Sequence, residues 1–226
     1  CFSENTSKLL PINRNFYQSV YGSLSAIYTI TNSDYNRLQQ ILFIEEKPIV
    51  RVLGNPRYDQ VKLKADNFTQ ERTESVLLRS KRLVIGSVHT EDQNIILDSI
   101  ISLMREINDL SLLWVLHEPL DRDVNTTISI FKSKHLSVER LGYRQPNDVD
   151  ARVVIVDSIG LLSQLYWDGQ IAYIGGGFST GVHNVMEPAI ARLPVFFGPR
   201  YENSPEAEEL ISDGGGFCIE SGKGLY

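Results

Sequence analysis

The residues from Gly175 to Pro188 read Gly-Gly-Gly-Phe-Ser-Thr-Gly-Val-His-Asn-Val-Met-Glu-Pro, the densest set of ligand-holding groups in the chain. A β-rich run, Ile171 to Ile174, leads into it, and a helical pattern, Asn184 to Arg192, leads out. Glycines let a backbone approach a bound group and take up positive φ. Free N–H groups at the start of a helix suit an anion. Pro188 fits a first helical turn, where no N–H is required. Glu187 then stands at the mouth of that helix. A carboxylate beside a phosphate would repel it, so Glu187 suits hydroxyl groups such as those of a ribose. Gly176, Gly177, Phe178, His183, Asn184 and Glu187 are the candidate binding residues of this stretch.

A second stretch is Gly86-Ser87-Val88-His89-Thr90-Glu91-Asp92, which lies just past a β-rich run. Ser87 and the backbone around Gly86 and His89 would meet a phosphate or a sugar carboxylate. On plainer grounds the same residues are a capped helix start, with Thr90 as N-cap. His117 also ends a β-rich run and is a third candidate contact, whereas His135 is expected on the surface at a helix end. Tyr166 and Trp167 read as packing. There is no nucleophile elbow and no Walker loop. No His, Cys or Asp set has metal-ligand spacing along the chain, so no metal is expected.

The elements that carry these stretches alternate. Leu83–Ser87, Leu112–Leu116, Ser137–Leu141, Val153–Val156, Ile171–Ile174 and Pro194–Phe197 read as strands, and a last strand begins at Phe217. Helical patterns fall between them at Asp92–Ile107, Val124–Lys134, Ile159–Tyr166, Asn184–Arg192 and Pro205–Ser212. The β-branched run Val153–Val156 suits a strand buried on both faces of a parallel sheet. Strand–helix repetition predicts a doubly wound, Rossmann-like α/β sheet, with ligand-binding loops along one edge. Before it, helices are expected at Asn13–Ser23 and Ser33–Leu42, with strands at Ala26–Ile30 and Ile49–Leu53. Residues 1–48 read as the tail of a preceding domain, 49–82 as a connection that is mostly helical from Leu63 to Arg82, and 83–226 as the main domain.

The bulk properties agree with a globular protein. The 226 residues are 42% hydrophobic and 22% charged, with a formal net charge of −6. The basic residues are scattered, so nucleic acid, which needs a basic stripe, is not an expected partner. Cys1 and Cys218 are too far apart for a disulfide scaffold or zinc site, which suits a reduced, cytosolic protein. No apolar run approaches the roughly 18 residues of a membrane span. The chain opens on Cys in polar, helix-like sequence and is expected to be part of a longer protein.

Five motifs in order then carry a resemblance. They are Gly54-Asn55-Pro56-Arg57-Tyr58-Asp59, Gly86-Ser87-Val88-His89 with its acidic pair, and His117-Glu118-Pro119. After them come Asp157-Ser158-Ile159-Gly160, and the glycine triplet with His183-Asn184 and Glu187-Pro188, followed by Gly198-Pro199 and Asn203. Together they resemble the Kdo (3-deoxy-D-manno-octulosonic acid) transferases of lipopolysaccharide synthesis, which have the two-domain GT-B fold. The chain departs from the pattern at Arg192, where a glycine is usual, at Ser204 and at Glu118.

The resemblance implies a glycosyltransferase that moves Kdo from CMP-Kdo to a lipid A precursor at the cytoplasmic face of the bacterial inner membrane, with no separate cofactor. Residues 83–226 would be its C-terminal nucleotide-sugar-binding domain and residues 1–48 the end of its acceptor domain. Gly86, Ser87, His89, His117, Gly176, Gly177, Phe178, His183, Asn184 and Glu187 would bind the donor. The general base and the membrane attachment would belong to the N-terminal part, so no catalytic residue is assigned. The alternative is a UDP-sugar 2-epimerase or another UDP-sugar GT-B enzyme. The His-Asn-x-x-Glu-Pro helix start disfavours an epimerase, and the glycine triplet with Glu187 disfavours a non-enzymatic module.

Overall fold

β-branched runs separated by amphipathic stretches build a sheet whose strands all point the same way. The computed structural model describes residues 7–42, 48–69 and 75–225. Cys1, and residues 70–74 of the expected helical connection, lie outside them. The chain divides into two compact units, Cys1–Gln60 and Val61–Tyr226.

In the first unit, α1 (Pro11–Gly22), β1 (Ala26–Thr29), α2 (Asn32–Leu42) and β2 (Ile49–Val52) follow in order. The two strands pair in parallel, Ala26 opposite Ile49. The start of α2 is fixed by a reciprocal cap. The Thr31 hydroxyl donates to Asp34 Oδ2 and accepts the Asp34 N–H, both at 3.0 Å. That exchange satisfies a helix-terminal donor locally, while Leu38, Ile41 and Leu42 are buried on the inner face.

The connection differs from expectation. Its helix, α3 (Pro56–Thr69), begins seven residues before Leu63. Asn55 Oδ1 accepts the Arg57 N–H at 3.1 Å, and Pro56 occupies a first-turn position that needs no donor. These two residues start the helix, so the Gly54–Asp59 motif spans a helix start. A single 3-10 turn, Val76–Leu78, follows, and Arg82 already belongs to a strand.

The second unit runs β3 (Arg82–Val88), α4 (Thr90–Glu106), β4 (Ser111–Leu116), α5 (Asp121–Ser133), β5 (Val138–Arg140), β6 (Val153–Val156), α6 (Leu162–Leu165), β7 (Ile171–Ile174), α7 (Met186–Ile190), β8 (Val195–Phe197), α8 (Pro205–Ser212) and β9 (Gly216–Cys218). The seven strands form one parallel sheet in the order β5-β6-β4-β3-β7-β8-β9. Side chains alternate between its faces. One row, Val154–Leu113–Val84–Ala172–Val195, crosses five strands and packs with Leu165, Tyr166, Trp167, Ala191 and Ala207. The next row, Ile155–Trp114–Ile85–Tyr173, packs with Ile96, Ile100, Met104, Val124 and Phe131 of α4 and α5. Each fully buried aliphatic side chain contributes about 1.5–3 kcal/mol. The sheet is thereby closed on both sides, as near-continuous apolar strands require.

Two helical expectations change. α7 covers five residues, not Asn184–Arg192. The Met186 N–H is taken by Asn184 Oδ1 at 3.0 Å, so one donor at this helix start is used by a local turn. Thr90 is not the N-cap of α4 but its first residue, preceded by His89. The buried Asp92 carboxylate reaches back to the His89 N–H at 3.1 Å and does the capping.

Candidate functional site

β3 and β7 lie side by side although the chain visits β4, β5 and β6 between them. The connections leave β3 towards one side of the sheet and return to β7 for the other. The loops after these strands therefore part and open a crevice at the carboxyl edge, where open α/β sheets bind ligands. Both chemistry-bearing stretches of the sequence are those loops.

The loop after β3 is shaped by strain. Pairing with β4 shifts register between Ile85 and Val88, and Ser87 sits at φ 55°. That left-handed conformation costs a non-glycine residue about 1–2 kcal/mol. It is held by the loop after β7, whose Gly175 N–H donates to Gly86 O at 2.8 Å. A Cβ on Gly175 would lie 2.1 Å from Ser87 O, and one on Gly177 would lie 2.5 Å from Gly198 N. Gly176 has φ +89°. The triplet is thus required by neighbouring backbone as well as by any ligand. The loop after β8 closes the arrangement: the Arg200 N–H donates to Gly177 O at 2.9 Å, the Val182 N–H donates to Arg200 O at 2.8 Å, and Asn203 Nδ2 donates to Val182 O at 3.0 Å.

Asp92 joins the two central loops from below. It is fully buried and accepts from the Tyr173 hydroxyl at 2.8 Å, the Gly176 N–H at 2.8 Å and the His89 N–H at 3.1 Å. Three donors satisfy a carboxylate that water does not reach. Burial, and then the Asp92 charge, push the Tyr173 hydroxyl above the usual tyrosine range, so it stays protonated and donates.

Three of the four histidines of the chain meet above this network. His89 comes from the loop after β3, His117 from the end of β4 and His183 from the glycine loop. His89 Nε2 lies 2.7 Å from His183 Nε2. The rings stack pairwise at centroid distances of 4.4, 4.5 and 5.0 Å. His117 is exposed and the other two are half-buried. Burial, followed by His117 and His89, lowers the pKa of His183, which favours its neutral ring. His135, the fourth, is exposed after α5.

Glu187 lies elsewhere in the crevice. It lines a small pocket with Val61, Lys64, Ala65, Ser163, Trp167 and Ile190, and Lys64 Nζ is 3.8 Å from its Oε1. Burial raises the Glu187 pKa, partly offset by Lys64 and by a hydrogen bond with Asn184. Tyr166 stands between the two groups of candidates. A Cβ on Gly86 would lie 2.3 Å from its hydroxyl oxygen. Burial, then Glu187, hold that hydroxyl well above its usual range. Phe178 is half-buried against the α4 side of the sheet.

The structure therefore gathers Gly86, Ser87, His89, His117, Gly176, Gly177 and His183 in one place, and Asn184 with Glu187 in a second. Lys64 is not singled out by sequence, Asp92 stands there only as part of the acidic pair after His89, and Tyr166 reads as packing. Only Asp92 carried a readable signal, an acidic residue three positions after the residue it caps.

No family model matches the chain. Individual proteins do. It is 36% identical over 146 residues to the 3-deoxy-D-manno-octulosonic acid transferase of Chlamydia pneumoniae, covering 62% of this chain and 32% of that protein. It is 28% identical over 223 residues to the enzyme of the same name from Chlamydophila psittaci, covering 96% of this chain and 50% of that protein.

The chain is a relative of the Kdo transferases.

It spans about half the length, or less, of these curated relatives. Among solved structures it is similar to the C-terminal CMP-Kdo binding domain of WaaA from Acinetobacter baumannii. The TM-score is 0.58 at 22% identity, over 74% of this chain and 86% of that one. A UDP-N-acetylglucosamine 2-epimerase shares the fold with a TM-score of 0.54 at 14% identity, over 95% of this chain and 50% of that one. The sequence likeness thus points to Kdo transferases, which are glycosyltransferases, and the epimerase likeness is one of fold.

Proposed function

We propose that this chain is the donor-binding part of a Kdo transferase. The whole enzyme would move Kdo from CMP-Kdo to a lipid A precursor in lipopolysaccharide synthesis, at the cytoplasmic face of the inner membrane. The observation that carries the reading is the crevice between the loops after β3 and β7, where motif residues from distant parts of the sequence converge. Residues 1–48 would end the acceptor domain, 49–82 connect, and 83–226 bind the nucleotide sugar. Among the described residues no helix is long and apolar enough to cross a membrane.

Gly86, Ser87, His89, His117, Gly176, Gly177, Phe178 and His183 would border the Kdo and phosphate end of the donor. Asn184 and Glu187 would face the ribose, with Lys64 holding the carboxylate in place. Fixed backbone donors of these loops would stabilise the negative charge that builds on the departing CMP phosphate. Inversion at the sugar carbon requires a base for the acceptor hydroxyl, and none of these residues is assigned that role. No cofactor beyond the donor itself is required by this chemistry.

Calorimetric titration of the chain with CMP and with UDP tests the reading. CMP is expected to bind more tightly than UDP, and Glu187→Gln to abolish the heat. A preference for UDP would overturn the Kdo assignment. Absence of binding by either nucleotide would overturn the claim that this chain holds the donor.

A further inference from the structure

Donor recognition accounts for His89, His117 and His183 singly, but not for their convergence on one another. Their ligating nitrogens all lie within 4.8 Å of each other. The His89 and His183 Nε2 atoms face each other at 2.7 Å, where only one of the two can donate to the other. The three ring planes are within 16–23° of parallel. Each backbone is fixed: the His89 N–H by Asp92 at 3.1 Å, the His117 N–H by Val88 O at 3.0 Å and the His183 N–H by Gly175 O at 3.2 Å. A set of ligands held in this way is organised before anything binds.

We propose that His89, His117 and His183 form a binding site for a zinc-class divalent transition-metal ion, with at least one coordination position open. The donor set decides the class. Three imidazoles suit zinc, cobalt, nickel or copper, whereas calcium and magnesium take oxygen ligands, and none of the three ligands is a carboxylate. Zinc–nitrogen bonds of about 2.0–2.1 Å in a tetrahedral site separate ligand nitrogens by roughly 3.3 Å. The His89 and His183 nitrogens stand closer than that, at 2.7 Å, so their rings must turn out of the present near-parallel planes to admit an ion, while the backbone stays in place. Three protein ligands leave the fourth position to water or to a ligand oxygen. Exposed His117 places that position on the solvent side of the crevice, where an anionic oxygen of a bound molecule would complete the shell. The site stands on the side-chain geometry alone and does not depend on the identity of the sugar donor.

Cobalt is the probe, because its visible spectrum reports the number and kind of ligands. The full chain, with Cys1 and the exposed Cys218 replaced by serine, is titrated with Co²⁺ and then with Zn²⁺ as competitor. One saturable equivalent with nitrogen-type d–d bands is expected, displaced by Zn²⁺. His117→Ala removes an exposed ring and is expected to weaken binding about 100-fold or more, at or above the range for loss of outer partners of a metal. His183→Gln is expected to do the same, while His135→Asn leaves it unchanged. Thermal melts of the variants confirm that the fold is retained. Absence of a saturable equivalent, or binding unchanged in His117→Ala, overturns the proposal. CMP titration of the chelator-treated protein reads the donor assignment separately, so either claim can fail without the other.

Discussion

The Gly176 backbone N–H donates to Asp92 Oδ2 at 2.8 Å, tying the loop after β7 to the first turn of α4. With Tyr173 and His89 on the same carboxylate, this one buried group sets the distance between the two loops that frame the crevice. Asp92 is fully buried and so meets no bound molecule itself. Its role is to position the residues that would.

Asp92→Ala leaves three donors, two of them buried, without an acceptor. An unsatisfied buried group costs about 1–3 kcal/mol, and these three share one network, so a loss of about 3 kcal/mol or more in urea unfolding is expected. Tyr173→Phe removes only one donor and should cost about 1 kcal/mol. If the two substitutions cost the same, the carboxylate is not the centre of the network.

Gly175→Ala would drive a methyl group into Ser87 O, at 2.1 Å before relaxation. Backbone atoms on both sides must shift, and a destabilisation of about 3 kcal/mol is expected. CMP affinity should fall with it. Denaturant melts and calorimetry on one preparation check both.

Arg192 is exposed and sits at φ 65°, the position where Kdo transferases usually have glycine. Arg192→Gly releases the left-handed strain of about 1 kcal/mol, which should raise the melting temperature by about 2–4 °C in a chain of this size. No change would mean that the Arg192 side chain compensates for its backbone.

The raised pKa of Glu187 gives a pH dependence of definite sign. Between the unfolded and folded pKa values the folded state binds more protons than the unfolded one. Stability contributed by the protonated carboxyl is present below the unfolded value and lost as pH rises through the folded value. Glu187→Gln should therefore be more stable than the native chain at neutral pH, with the difference shrinking towards pH 4.5, the ordinary value of a glutamate. It should also lose CMP binding. Urea unfolding across that range, beside calorimetry, separates the two effects, and a stability gain that persists at low pH would refute the ionisation account.

Elements with unbroken periodicity were readable. Val153–Val156, Ile171–Ile174 and Pro205–Ser212 fall where their residues predict, because β-branched runs and an N-terminal proline act locally. α3 was misplaced because Asn55 and Pro56, a start signal, stood inside a motif read for function. α7 was overestimated because Asn184 caps a turn that five residues then exhaust. The three histidines were each readable as candidate contacts, but their convergence was not. They are far apart in sequence, and only the strand order brings β3, β4 and β7 together. Lys64 was silent because sequence does not tell it from Lys62, the other lysine of α3.

His89 and His117 directly follow β3 and β4, and His183 sits in the glycine loop after β7. A slip of one residue in either pairing of β3, with β4 or with β7, would turn side chains to the opposite face and withdraw a ring. The histidine triangle therefore records the register of three strands at once. Its appearance during refolding would mark the moment at which the central sheet has chosen its alignment, so the putting-together of this domain can be timed through the same atoms that serve its ligand edge.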